Sequence, residues 1–147
     1  MHDLELVLKA AGDPTRARIL KMLERGGLCV CQVQAVLGLA VSTVSKHLSI
    51  LRTAGLVEDR RNGRWIEYAL VPEPRGHYVR MVLAMLRGPF DRDANVVADR
   101  ERLRQVRRVP LGELCDRRPA PSTAPSAAIG RAGLTAAARR GGEPAPS

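Results

Sequence analysis

Aromatic residues are almost missing from this chain: one Trp, two Tyr and one Phe make up 3% of its 147 residues. Aliphatic side chains must therefore supply the packing, and a small monomer built this way has little core to spare, which favours dimerisation. Long apolar runs are missing too. The N-terminal MHDLELVLKAAGDPTR mixes acids with apolar residues and has no basic start followed by an apolar stretch, so neither a secretory signal nor a membrane span is expected. Cysteines number only three. An odd count without an export signal points to the cytoplasm and to reduced thiols. Three per chain also cannot complete a four-cysteine zinc site within one protomer. No Gly-rich phosphate loop, HExxH or GxSxG pattern is present, and nothing requires catalysis. Asp91, Asp93, Asp99 and Glu101 are interleaved with arginines and read as a solvated, ion-paired helix face rather than an acid/base pair.

What is abundant is positive charge. Lys and Arg number 24 against 15 Asp and Glu, for a net charge of +9. Up to Cys115 there are 19 basic and 13 acidic residues, so the excess is not confined to the C-terminus. Such a surface suits nucleic acid or an acidic membrane, although charge alone is equally compatible with mere solubility.

The apolar spacing predicts an ordered series of elements. Leu4, Val7, Leu8 and Ala11 mark one face of a first helix ended by Gly12. Asp13-Pro14 is an N-cap followed by proline at the first helical position, and Ile19, Leu20 and Leu23 give the next helix its stripe. A short third helix is predicted from about Cys31 to Leu37 with Gly38 as its stop, then a fourth with Val41, Val44, Leu48 and Leu51 inward and Gly55 at its end. Two such helices joined by a tight Gly-containing turn form a helix-turn-helix. Leu56 to Arg61 and Arg64 to Leu70 flank Asn62-Gly63, a strong hairpin signal for a type I′ turn. A helix from about Arg75 to Arg87 is apolar on two sides, with Tyr78, Met81, Val82 and Met85 on one and Val79, Leu83 and Leu86 on the other. One side would cover its own domain and the other a partner's. Gly88-Pro89 breaks it, and a charged helix follows from about Asp91 to Arg108, with Val96, Val97, Leu103 and Val106 to bury. The expected fold is mainly α with a β-hairpin wing, a homodimeric winged helix-turn-helix over residues 1–115. Residues 116–147, rich in Pro, Ala, Ser and Gly, are read as a disordered tail.

Opposite the apolar stripe of the fourth helix stand Ser42, Lys46, Ser49 and Thr53, flanked by Thr43 and Ser45. Small hydroxyls and one lysine allow close approach to a major groove. Alone this is an ordinary solvated face. The hairpin changes the reading, because Arg60, Arg61 and Arg64 cluster at its tip, where phosphate or minor-groove contact is expected.

With DPTRARIL (Asp13 to Leu20), LCVCQVQAVLGL (Leu28 to Leu39), STVSKHLSILRTAGLVEDRRNGRW (Ser42 to Trp65) and the YAL that follows, the chain resembles the ArsR/SmtB family of bacterial metal-responsive repressors. The resemblance covers about half the chain. It implies a homodimer that occupies an operator when unliganded and leaves it when an inducer binds, with the first and the Tyr78-containing helices at the dimer interface. LCVC is similar to the arsenic-sensing branch, whose pattern continues with a third cysteine where this sequence has Gln34. His47 matches the histidine of the family's recognition helix and is read as structural. The family's zinc-type site needs paired ligands on the dimer helices, where only His77 is available, so that site is not carried over.

Thiolates select soft ions over hard ones. Cys29 and Cys31 point the same way from an extended segment but to opposite sides of a helix, so a chelate over both needs non-helical backbone there. The alternative is that both are small core residues. Cys115, on a segment able to span about 25 Å, is placed to supply a third thiolate to either protomer, or is a plain tail thiol. The reading is thus a cytoplasmic repressor of palindromic operator DNA, not an enzyme, released by trivalent arsenic, with antimony as a second ion, on Cys29, Cys31 and Cys115. One alternative keeps the fold and makes the thiols a redox or persulfide switch. Another, of a different class, is a thiol oxidoreductase or metal-handling protein, disfavoured because such a protein needs neither wing nor recognition helix.

Overall fold

The computed structural model describes residues 2–116. Of the tail expected at 116–147, Asp116 ends a helix, and 117–147 lie outside the described residues. In chain order come α1 (His2–Ala11), α2 (Pro14–Leu23), β1 (Leu28–Cys29), α3 (Val30–Leu37), α4 (Val41–Thr53), β2 (Val57–Asn62), β3 (Trp65–Leu70), α5 (His77–Leu86), a 3-10 turn (Pro89–Arg92), α6 (Ala94–Arg107) and α7 (Leu111–Asp116). The winged helix-turn-helix expected from the sequence is the fold observed.

The α1–α2 corner follows directly from DPTR. Asp13 is extended and accepts from the Arg16 amide at 3.0 Å, and Pro14 opens the helix without wasting an amide. The Arg16 guanidinium then turns back and donates to the carbonyls of Ala10 (2.7 Å) and Lys9 (2.9 Å), capping the end of α1. Between α3 and α4, Gly38 takes φ +69°, a left-handed conformation that leaves its amide on the Gln34 carbonyl at 2.8 Å. The chain direction turns by 114° across that break, within the range of helix-turn-helix motifs.

Ile19, Leu20 and Met22 of α2, Val33 of α3, Val44, Leu48 and Leu51 of α4, and Leu28, Leu56 and Val57 around the sheet form a core with hardly any exposure and no aromatic ring fully buried. Val79, Val82 and Leu86 of α5 and Leu103 of α6 close it. Among the described residues no single helix is long and apolar enough to cross a membrane.

Four expectations change. A strand precedes α3: Leu28 and Cys29 pair antiparallel with Tyr68 and Glu67, giving a three-stranded sheet in the order β1-β3-β2. The hairpin turn lies one residue later than expected. Asn62 pairs with Trp65, so the two loop residues are Gly63 and Arg64, and only Gly63 needs a positive φ (+62°). That is the type II′ requirement of glycine at the first loop position. The charged helix splits, because Asp93 caps a new start at Ala94 by accepting from the Asn95 and Val96 amides. Finally Val97, expected inside, is 52% exposed, while Asp99, expected in solvent, is 2% exposed.

Candidate nucleic-acid interface and thiol site

α4 buries Val44, Leu48 and Leu51 and turns Ser42, Thr43, Ser45, Lys46 and Ser49 to solvent. Its N-cap is Ala40, which has no side-chain oxygen to occupy the amides of the first turn. Those amides and the positive end of the helix dipole suit an anion beside the hydroxyl-bearing face. The helix is also held from behind. His47, on its flank, lies 3.3 Å from an Arg16 guanidinium nitrogen through Nδ1. Because a guanidinium only donates, Arg16 is the donor in this contact. Arg16 thereby links the end of α1, the start of α2 and α4.

The wing places Arg60, Arg61 and Arg64 on the surface. Arg60 pairs with Glu58 at 3.1 Å and the Arg64 guanidinium lies over the Trp65 ring at 5.3 Å from its centroid. Arg52, at the end of α4, reaches Asp59 of β2 at 3.2 Å, an exposed contact between the helix and the wing. All the sequence-predicted nucleic-acid residues therefore stand exposed on the two elements, the helix and the hairpin, that were expected to carry them.

The cysteines are arranged differently from expectation. Cys31, in the first turn of α3, and Cys115, in α7, are joined as a disulfide within one chain, with Cα atoms 5.5 Å apart. The sequence led us to expect reduced thiols and left the partner of Cys115 open between protomers. Cys29 stays apart as a buried free thiol in extended conformation. It is fixed by its sheet pairing with Glu67 and by its amide, which donates to Gln32 Oε1 at 2.9 Å. Burial, and secondarily the negative charge of Glu67, pushes the Cys29 thiol up from its ordinary value, so it stays protonated near neutral pH. Among the described residues no group of three or more His, Cys, Asp or Glu side chains is arranged to hold a metal ion. The three-sulfur set Cys29, Cys31 and Cys115 is thus not preassembled, because Cys29 is in a strand and Cys31 in the following helix, so their side chains diverge.

α6 and α7 bring Cys115 to α3; of the residues that anchor them, the sequence singled out Asp91 and Asp99 only as part of a solvated, ion-paired face, and Arg18 and Lys21 not at all. Arg18 of α2 makes two parallel bonds to Asp99, Nε to Oδ2 and Nη2 to Oδ1, both 2.7 Å. Lys21, 2% exposed, is neutralised by Glu24 at 2.7 Å and Asp91 at 2.9 Å and donates to the Leu86 carbonyl at 3.1 Å. Arg100 closes on the same Asp91 oxygen. A sequence signal for Asp99 existed: with Val96 and Leu103 it falls at i, i+3 and i+7, on the buried stripe of α6.

Comparison with known proteins assigns the fold to a lineage. A sequence profile described as "Bacterial regulatory protein, arsR family" matches residues 13–59. An HTH-type transcriptional regulator of Methanocaldococcus jannaschii is 42% identical over 77 residues, covering 52% of this chain and 86% of that protein. The chain belongs to the arsR family. An arsenic resistance transcriptional regulator of Pseudomonas putida is 42% identical over 87 residues, covering 58% of this chain and 65% of that relative, just under two thirds of its length. The solution structure of a homodimeric winged helix-turn-helix DNA-binding domain from Mycobacterium bovis superposes with a TM-score of 0.51 at 28% identity, covering 63% of this chain and 82% of that one. The family and these relatives are transcriptional regulators rather than enzymes.

Proposed function

We propose that this arsR-family protein is a cytoplasmic, homodimeric repressor that holds operator DNA through α4 and the wing and releases it when trivalent arsenic, or antimony, binds Cys29, Cys31 and Cys115. The observation that carries the cysteine assignment is the meeting of Cys31 with Cys115 in one chain, with Cys29 two residues upstream. The likeness to an arsenic resistance regulator supports the choice of ion, as does the preference of thiolates for thiophilic elements. The chemistry balances without net proton release. As each As–S bond forms, an As–OH bond of arsenous acid breaks and the thiol proton leaves with the hydroxide as water. Cys29, held protonated, brings the proton that leaves as water, and the burial that raises its pKa must be relieved for its thiolate to attack. Adding Cys29 to the reduced Cys31–Cys115 pair requires the β1–α3 junction to open, because a strand residue and a helical residue must turn toward one ion. α3 leads directly into α4, so opening that junction displaces the recognition helix.

Operator release is measured by titrating arsenite into the reduced protein bound to labelled operator. Cys31 belongs to every chelate the geometry offers, so Cys31→Ser is expected to abolish release, and a normal response would sink the reading. Cys29→Ser is expected to abolish the allosteric step, and Cys115→Ser to weaken the response while leaving ligand-free operator affinity unchanged.

The same disulfide favours a second reading, a redox switch. In it a peroxide-class oxidant converts the two thiols to the disulfide and is itself reduced to water. Release by peroxide, with no effect of arsenite under strict reduction, would select it.

A further inference from the structure

The recognition surface leaves a second cationic feature of the molecule unused. Arg100, Leu103, Arg104 and Arg107 recur at i, i+3, i+4 and i+7 along α6, and this face opens onto the turn after α2, where Arg25 stands. These five residues line a cavity of about 430 Å³, and four of them are arginines with no carboxylate in the lining. Two observations point to a missing anion. Arg100 has a buried Nε without a hydrogen-bond partner, although its Nη2 reaches Asp91. Arg107 donates to the Arg25 main-chain carbonyl at 3.2 Å, which holds its guanidinium at the rim that Arg25 also lines. The acid on this face, Glu101, meets Arg104 at 3.2 Å with both side chains more than half exposed, a pairing too weakly held to neutralise the cavity.

Guanidinium groups converging on one hollow repel each other and have donors to spare. Tetrahedral oxyanions match their planar fork with paired acceptors. We propose that the cavity lined by Arg25, Arg100, Arg104 and Arg107 is a phosphate-binding site, independent of the thiol chemistry. The phosphate group comes either from solution, as the free ion or a small ester, or from the backbone of DNA flanking the operator core. Both offer the same recognised group, and the cavity has room for the substituent an ester carries.

The test uses the full chain. Inorganic phosphate is titrated calorimetrically against the protein, with chloride at matched ionic strength as the control, for the natural chain, for Arg104→Gln with Arg107→Gln, and for Arg25→Gln. These three side chains are exposed, so the variants are expected to keep the fold, checked by circular dichroism. Saturable phosphate binding that weakens about tenfold or more in both variants supports a site for the free ion. In a second arm, operator duplexes ending at the core are compared with duplexes extended on both sides. A gain in affinity on extension that both variants lose, with a salt slope lower by roughly one per arginine removed, assigns the site to backbone phosphate. If the natural chain shows neither saturable phosphate binding nor an extension gain, or if the variants match it in both arms, the proposal is overturned.

Discussion

Arg18 and Asp99, 81 residues apart, meet through two parallel bonds of 2.7 Å and tie α2 to α6. Asp99 is 2% exposed and the Arg18 side chain 26%, so removing the guanidinium leaves a buried carboxylate with only Arg102, 3.7 Å away, to compensate. Breaking a buried pair this way costs roughly 3–5 kcal/mol, and the remaining Arg102 keeps the loss to about 3 kcal/mol. Arg18→Ala is expected to lower the urea midpoint accordingly, whereas Arg18→Met with Asp99→Leu, which removes both charges, should recover most of it. Equal losses in the single and double variants would show that the pair is not what anchors α6.

Acid is expected to loosen the same region through Asp91. The hydrogen bonds from Lys21 first and Arg100 second lower its carboxyl to about 2 from its ordinary 3.8. A carboxylate depressed in the folded state contributes stability that is complete above its unfolded value and is lost as pH falls through its folded one. The window is therefore about pH 4 down to about pH 2. Over that window stability should fall more steeply in the natural chain than in Asp91→Asn, and the difference between them should stay level above about pH 5. Parallel acid titrations of the two proteins would remove Asp91 from the account.

Much of this architecture was legible because it is written in local periodicity and punctuation. Val44, Leu48 and Leu51 set the inner face of α4, Asp13-Pro14 sets the start of α2, and Gly38 ends α3. What was hidden depends on partners distant in sequence. β1 is two residues long, too short to carry a period, and exists because β3 pairs with it. The turn register is decided by cross-strand pairing of Asn62 with Trp65, which a dipeptide signal cannot specify to one residue. Asp99 is inside only because Arg18 comes to meet it. Cys115 was visible as a candidate, but its partner was not, since a span estimate limits reach without fixing direction.

The wing arginines are expected to act on affinity without acting on sequence choice. Arg60, Arg61 and Arg64 are exposed, and Glu58 and the Trp65 ring pre-position two of them. Each replacement by Ala should weaken binding to operator and unrelated DNA alike and lower the slope of log affinity against log salt by roughly one. Lys46→Ala on α4 should instead reduce the ratio between operator and unrelated DNA. Unchanged slopes in all three wing variants would take the wing off the contact surface.

The exposed apolar surface of a single chain marks where the proposed second copy would meet it. Met81 and Met85 of α5 are each 56% exposed and Leu8 of α1 is 49% exposed, on two helices packed against each other. Val82, which the sequence grouped with Met81 on one stripe, is 4% exposed and belongs to the protomer's own core. The two positions therefore separate assembly from folding. Met81→Glu sets an unpaired charge against an apolar partner face, a cost of several kcal/mol per interface. It should give a folded monomer by sedimentation, with operator affinity reduced about tenfold or more because two half-sites are no longer engaged together. Val82→Glu should unfold the protomer itself, seen as loss of the cooperative thermal transition. A dimer that tolerates Met81→Glu would mean that α1 and α5 are not the interface and that the exposed methionines serve another contact.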